Sequence, residues 1–221
     1  MDVSNGVVHI VDDDDSIREA LSRLLCALGF DVRQYASAGE FLLEWPVGSP
    51  ACLLLDVRMP GPSGLDLQLA LSKRADAPPV VFLTGYGDIP MSVLAIRRGA
   101  VDFLTKPVER EALLSAVTAA LERDARDRNS RRARQDVRER FDMLTPREKL
   151  VFAQVVDGRL NKQIATALGT CERTVKAHRA HVMEKMHVHS VAALVQLAVQ
   201  LDFDADPPAG ALQKPAPAVA A

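Results

Sequence analysis

The chain has 221 residues, 48% of them apolar and 25% charged, with a formal net charge of −2. That length suits one large domain or two small ones with ordinary packed cores. Three distant cysteines, Cys26, Cys52 and Cys171, share no metal-ligand spacing, which excludes a disulfide framework and fits a reducing compartment. Met1 to Val8 carries no basic segment followed by a long apolar run, and no stretch approaches the roughly 20 apolar residues of a membrane span. A soluble cytoplasmic protein is expected. The charge is uneven: residues 1–120 hold 16 acidic and 10 basic side chains, residues 121–200 hold 10 and 16, and the last 21 hold three and one. Different partners for the two halves are expected.

In chain order, Val7–Val11 is an apolar run that ends in Asp12, Asp13, Asp14 and Asp15. Ile17, Leu21, Leu24, Leu25 and Leu28 follow at helical spacing, and Gly29 stops that helix. Asp31–Tyr35 reads as a strand, and Ser37 as the cap of the next helix. Cys52–Leu55 is a continuous apolar run, as in a strand buried on both faces. Leu65 to Leu71 predicts a helix, Val80–Leu83 a strand, Ile89–Arg98 a helix, Val101–Leu104 a fifth strand, and Val108–Leu121 the start of a last helix. Strands alternating with helices predict a parallel sheet with helices on both faces. Ligands of such sheets lie beyond the carboxyl ends of the strands.

Those ends carry Asp12 and Asp13, then Asp56, Thr84, and Lys106-Pro107. Converging carboxylates repel unless a cation neutralises them, and oxygen-only ligation suits Mg²⁺. Taken singly, Thr84 is a strand-end hydroxyl and Lys106 a surface lysine. Asp14 and Asp15 read as capping or solvated residues. The segments VHIVDDDDSIREAL, LLLDVRMPGPSGLDL, VVFLTGYGD and AVDFLTKPVE, in that order, resemble the receiver domain of two-component response regulators over about 120 residues. The resemblance implies a flavodoxin-like, five-stranded, doubly wound parallel sheet. It implies Asp56 as phosphoacceptor, and Asp12, Asp13, Asp56 and the Arg58 backbone carbonyl around Mg²⁺. Lys106 would balance phosphoryl charge, with a cis bond to Pro107 able to aim its ammonium. Thr84 and Phe103 would form the switch. Many family members carry Tyr at the Phe103 position; Phe keeps the packing step and loses the hydroxyl.

Residues 122–140 are charged and free of Pro and Gly, so they read as a helical linker or a partly disordered one. Four amphipathic segments follow, near 146–157, 161–168, 172–187 and 190–201. Thr145, Pro146 and Glu148 form a helix start with a capping box. Asp157-Gly158 ends that helix, Asn161 is expected to cap the next, and Gly169 closes it. Two short helices around a Gly-containing turn predict a helix-turn-helix, whose second helix enters the major groove. LTPREKLVFAQVVDGRLNKQIATALGTCERTVKAHRAHVMEKM resembles the DNA-binding domain of LuxR/FixJ-type regulators. Cys171 departs from the usual small polar or acidic cap. Arg173 and Lys176 are expected to read bases or phosphates, and Thr174, His178 and Arg179 to anchor the backbone. Val175 belongs to the core or to a thymine methyl. His187 and His189 read as a surface pair.

The chain thus divides into a receiver (1–121), a charged helical linker (122–140), an all-α helix-turn-helix domain (141–202) and a Pro/Ala-rich tail (203–221) expected to be disordered. Phosphorylation by a histidine kinase is expected to switch DNA binding and transcription, with the family leaning to activation. The expected partners are a histidine kinase, double-stranded DNA and, when phosphorylated, a second copy of the chain, through whatever part of the last helix is not packed on its own domain; RNA polymerase is a further candidate. No motif supports turnover of an external substrate. A constitutive DNA-binding regulator with a structural or ligand-sensing receiver stays open as the alternative.

Overall fold

The computed structural model describes residues 6–44, 48–85 and 89–201. The tail 203–221 therefore lies outside the described residues. The chain forms two compact units, residues 1–130 and 131–221, each with its own core.

The first unit runs β1 (Val7–Val11), α1 (Asp15–Ala27), β2 (Asp31–Tyr35), α2 (Ala38–Leu43), β3 (Ala51–Asp56), α3 (Gly64–Leu71), β4 (Val80–Thr84), α4 (Ile89–Arg97), β5 (Asp102–Thr105), then α5 (Arg110–Asp142). The strands are all parallel in the order β2-β1-β3-β4-β5. Period-two alternation sorts their side chains onto two faces. Val8, Ile10, Cys52, Leu54, Val81 and Leu83 enter one core with Leu25 of α1 and Leu113, Val117 and Leu121 of α5. Val11, Leu53, Leu55 and Phe82 enter the other, with Phe41, Leu67, Leu71 and Ala95. Full burial of each large apolar side chain contributes about 1.5–3 kcal/mol. Every residue of β3 is buried, as its unbroken apolar run requires.

Most element limits match the sequence reading. Strand β5 sits one residue later than expected, because Val101 donates its amide to the Val80 carbonyl at 2.7 Å before the ladder proper begins. Helix α5 starts at Arg110 rather than Val108, behind the Pro107 turn. The 122–140 stretch is helical. Pairs Glu122–Arg126 (3.6 Å), Arg123–Asp127 (3.9 Å), Asp124–Arg128 (2.6 Å) and Arg138–Asp142 (3.9 Å), each four residues apart, support it. Asp124 is buried and also accepts the Ala51 amide at 2.8 Å, while Arg128 donates to the Gly48 carbonyl at 3.1 Å. The first two turns beyond Leu121 thus belong structurally to the first unit.

The second unit holds the end of α5, then α6 (Pro146–Val156), α7 (Asn161–Leu168), α8 (Glu172–Lys185) and α9 (Val191–Gln200). Its core is Val137, Leu144, Val151, Phe152, Val155, Ile164, Val175, Val182, Met186, Leu194 and Ala198. The α6 capping box between Thr145 and Glu148 is present. Gly169 ends α7 at φ 62°, the left-handed region that glycine enters without strain. The expected cap at Asn161 is corrected: Leu160 takes the extended N-cap position and Asn161 is the first helical residue. Its side chain is used elsewhere, accepting from Arg179 Nη1 at 2.9 Å. Among the described residues no helix is long and apolar enough to cross a membrane.

Candidate functional site

The parallel register brings the carboxyl ends of β1, β3, β4 and β5 to one edge. Asp12 lies just past β1, Asp56 closes β3, Thr84 closes β4 and Lys106 follows β5. Lys106 Nζ donates to Asp12 Oδ2 at 2.5 Å and to Asp56 Oδ1 at 2.6 Å. One ammonium therefore ties together carboxylates 44 positions apart in sequence, and both are buried. Asp13 follows at the rim with its side chain exposed. The Lys106–Pro107 peptide is cis.

Each group is held by local structure. Asp12 Oδ1 accepts the Asp14 amide at 3.0 Å, and Arg18 Nη1 donates to the Asp12 carbonyl at 2.6 Å. Asp14 is the α1 cap, accepting from the Ser16 and Ile17 amides, so the reading of Asp14 as a capping residue stands. Asp56 Oδ2 accepts the Arg58 amide at 2.8 Å. The Lys106 amide donates to the Thr84 carbonyl at 2.7 Å. Thr84 is buried, and Phe103 is half-buried with its ring 6.1 Å from that of Phe82.

Burial pushes the Asp56 carboxyl above the ordinary carboxylate value; the hydrogen bond and charge of Lys106 pull it back, and Asp12 pushes it further up. Burial acts on Lys106 in the opposite sense. Its hydrogen bonds to Asp12 and Asp56 overcome that, and its ammonium is held above the usual lysine value. Among the described residues Asp12, Asp13 and Asp56 are not gathered into one three-ligand group: Asp13 is exposed, and the carboxylates of Asp12 and Asp56 converge on the Lys106 ammonium. The two buried carboxylates offer oxygen donors of the kind a hard divalent ion such as Mg²⁺ takes.

Gly64 was not singled out in the sequence, yet it shapes this pocket. A Cβ there would lie 2.2 Å from the Asp56 carbonyl oxygen. Its own amide donates to the Val57 carbonyl at 3.1 Å, and Ser63 with Asp66 forms a capping box around it. The Ser-x-x-Asp spacing was the available signal for that helix start; the approach to Asp56 had none.

In the second unit, α8 presents Arg173 and Lys176 exposed, and Thr174, His178 and Arg179 half-buried. Val175 between them is fully buried, so it belongs to the core. Cys171 occupies the α8 N-cap position without a side-chain bond to the helix backbone, its sulfur 3.2 Å from Thr174 Oγ1. Buried Glu148 of α6 accepts from Lys185 Nζ of α8 at 2.6 Å and from the Thr145 amide at 2.8 Å. Arg147 Nη2 donates to the Leu168 carbonyl at 2.5 Å. The bond from Lys185, with those from Thr145, holds the Glu148 carboxyl pKa down to about 2; the Lys185 bond fastens α8 to α6, and the Arg147 bond fastens α6 to α7. His187 and His189 are exposed beyond the end of α8.

Comparison with known proteins matches both halves of the chain. Residues 8–118 match the response regulator receiver domain, and residues 142–198 match the bacterial regulatory proteins of the luxR family. The chain is 43% identical over 203 residues to nodulation protein W of Bradyrhizobium diazoefficiens, covering 92% of this chain and 89% of that protein. It is 43% identical over 192 residues to the transcriptional regulatory protein FixJ of Azorhizobium caulinodans, covering 87% and 91%. Among solved structures, response regulator StyR superposes with a TM-score of 0.79 at 43% identity, covering 89% of this chain and 99% of that one. Full-length FixJ from B. japonicum gives 0.53 at 36% identity, covering 90% and 98%. Receiver domains of this family generally bind Mg²⁺ at the acidic pocket and take their phosphoryl group from a histidine kinase; the LuxR-type helix-turn-helix binds DNA. With both halves matched over nearly its whole described length, this chain belongs to the two-component response regulators, a receiver domain joined to a LuxR-type DNA-binding domain.

Proposed function

We propose that Asp56 is the phosphoacceptor and that its modification switches DNA binding by residues 141–202, leading to activation of transcription. The observation that carries this is the Lys106 ammonium bound to both Asp12 and Asp56 at 2.5 and 2.6 Å. An Asp56 carboxylate oxygen attacks the phosphorus of a phosphohistidine on the kinase. The new bond is O–P, the bond broken is P–N, and the departing imidazole keeps the electron pair and takes a proton. The product is an acyl phosphate on Asp56. Transfer of this kind needs positioning and charge balance more than covalent help. Lys106 supplies a fixed positive charge beside the phosphoryl oxygens.

Asp12, Asp13, Asp56 and the Arg58 carbonyl would hold Mg²⁺, which supplies further neutralisation of the phosphoryl charge. Asp12 and Asp56 are already oriented by the Asp14 and Arg58 amides. The Thr84 hydroxyl then turns to a phosphoryl oxygen, and Phe103 fills the space it leaves. Packing alone drives that step, since Phe103 has no hydroxyl to rebond. The half-buried position of Phe103 beside Phe82 supports such a movement.

On α8, Arg173 and Lys176 contact bases or phosphates, and Thr174, His178 and Arg179 hold the DNA backbone. The Arg179 bond to Asn161 Oδ1 supports an anchoring role over free base readout. A second copy of the chain pairs through α9, where Val199 is 72% exposed beside buried Leu194 and Ala198. RNA polymerase is the downstream partner of such an activator. The protein acts in the cytoplasm, on no external substrate, with residues 1–121 as receiver and 122–140 as linker.

The test is operator affinity of the wild type with and without beryllium fluoride, a phosphoryl mimic, and of Asp56→Asn. Tightened binding only in the wild type with beryllium fluoride is expected. Equal, tight binding in all three contradicts the switch and favours a constitutive regulator.

A further inference from the structure

Away from the carboxylate pocket, the second unit brings three metal-ligating side chains together. Glu148 of α6 and His178 and His181 of α8 each offer one ligand atom, all within 4.8 Å of one another. His178 and His181 are three residues apart on α8, the spacing that puts two side chains on one helix face. Glu148 comes from the facing helix and is buried. Its Oε2 is taken by Lys185 and the Thr145 amide, while Oε1 faces His181 Nδ1 at 3.8 Å.

We propose that Glu148, His178 and His181 form a binding site for a divalent transition-metal ion of the zinc class, clamping α8 to α6. Two imidazoles and one carboxylate are a common three-ligand set for Zn²⁺, with water in the fourth position. Imidazole donors select against Mg²⁺ and Ca²⁺, so this site differs in chemistry from the acidic pocket. Bonds of about 2.0–2.2 Å draw ligands closer together than this span. His181, 59% exposed, has the freedom to close it. The Thr145 amide already orients the carboxylate, the kind of outer support that metal-bound carboxylates carry. Lys185 is 36% exposed and swings into solvent as the ion replaces its charge. An ion here also takes His178 from the DNA role proposed above. That coupling rests on the earlier assignment; the metal site does not.

The test uses the full chain in excess Mg²⁺, titrated with zinc chloride by calorimetry and with Co²⁺ by visible absorption. One zinc ion per chain and a four-coordinate cobalt spectrum are expected. His181→Ala should weaken zinc by at least about tenfold, the scale lost when even an outer-shell partner is removed, and should leave metal-free DNA affinity unchanged. A His187→Ala/His189→Ala double variant should bind zinc as the wild type does. Unaltered zinc affinity in His181→Ala, or its loss in the double variant, overturns the site. Zinc should also weaken binding of a short mixed-sequence duplex by the wild type and not by His181→Ala. Zinc binding with no effect on the duplex would overturn the coupling alone.

Discussion

At the strand ends of the first unit, Asp12 is 1% exposed and Asp56 5%, whereas on α8 Arg173 and Lys176 stand in solvent. Charge in the first place is costly unless a partner sits within hydrogen-bond reach. Charge in the second costs little, and in the role proposed for it would meet a polyanion. A substitution in the pocket therefore disturbs fold and chemistry together. One on the reading face should change binding while the fold is left alone.

The largest expected effect lies in the pocket. Lys106→Met removes the ammonium shared by Asp12 and Asp56, and phosphoryl uptake from acetyl phosphate should slow by about a hundredfold, the scale of losing one preorganised charge donor. Stopped-flow fluorescence or timed intact-mass readings measure it. An unchanged rate would dissolve the contrast between the two regions. Next is Gly64→Ala. Its Cβ would meet the Asp56 carbonyl at 2.2 Å, and overpacking of this kind costs about 1–3 kcal/mol. The urea midpoint of the first unit should fall while that of the second stays.

His9 gives a pH-dependent contrast. It is buried, with Nδ1 3.1 Å from the Tyr35 hydroxyl and no hydrogen-bond partner at Nε2 among the described residues. Burial, with help from the Arg33 charge, lowers its value to about 4 from 6.5. The unfolded chain binds this proton first, so stability is full above pH 6.5 and declines as pH falls toward 4. The loss at pH 5 should be roughly 2 kcal/mol, visible as a lowered melting temperature of the first unit. In His9→Gln that acid sensitivity should shrink; an identical pH slope would remove His9 as its source. The smallest effect on stability belongs to the exposed face of α8. Lys176→Ala should leave urea stability within about 0.5 kcal/mol of the wild type and reduce operator affinity by about 1–3 kcal/mol if it reads a base. Fluorescence anisotropy at several salt concentrations separates base from phosphate contact, since loss of a phosphate contact lowers the salt slope by about one.

The same contrast explains what could be read before folding. Strand-end residues Asp56, Thr84 and Lys106 were legible because apolar runs mark where strands stop, and the parallel topology then brings those ends to one edge. On α8 the sequence left Val175 between the core and a thymine methyl, and only the packed structure decides it, burying Val175 completely. Gly64 was not, because its role is a distance to the Asp56 backbone that no local pattern encodes. The Asn161 cap was misplaced by one residue: Asn favours N-caps, but here Arg179 binds its side chain and Leu160 takes the extended position. The Glu148–Lys185 pair and the docking of Asp124 on Ala51 span 37 and 73 positions. Contacts at such separations become visible only once the helices are packed.

Asp56, held beside buried Asp12 and the Lys106 ammonium, is the group proposed to accept a phosphoryl group. The most direct measurement is mass spectrometry of the full chain after acetyl phosphate and Mg²⁺, with the acid-labile adduct mapped to its peptide. One phosphoryl group on Asp56, absent from Asp56→Asn and from samples stripped of Mg²⁺, is the predicted result. A stable label elsewhere, or equal labelling of Asp56→Asn, would contradict it.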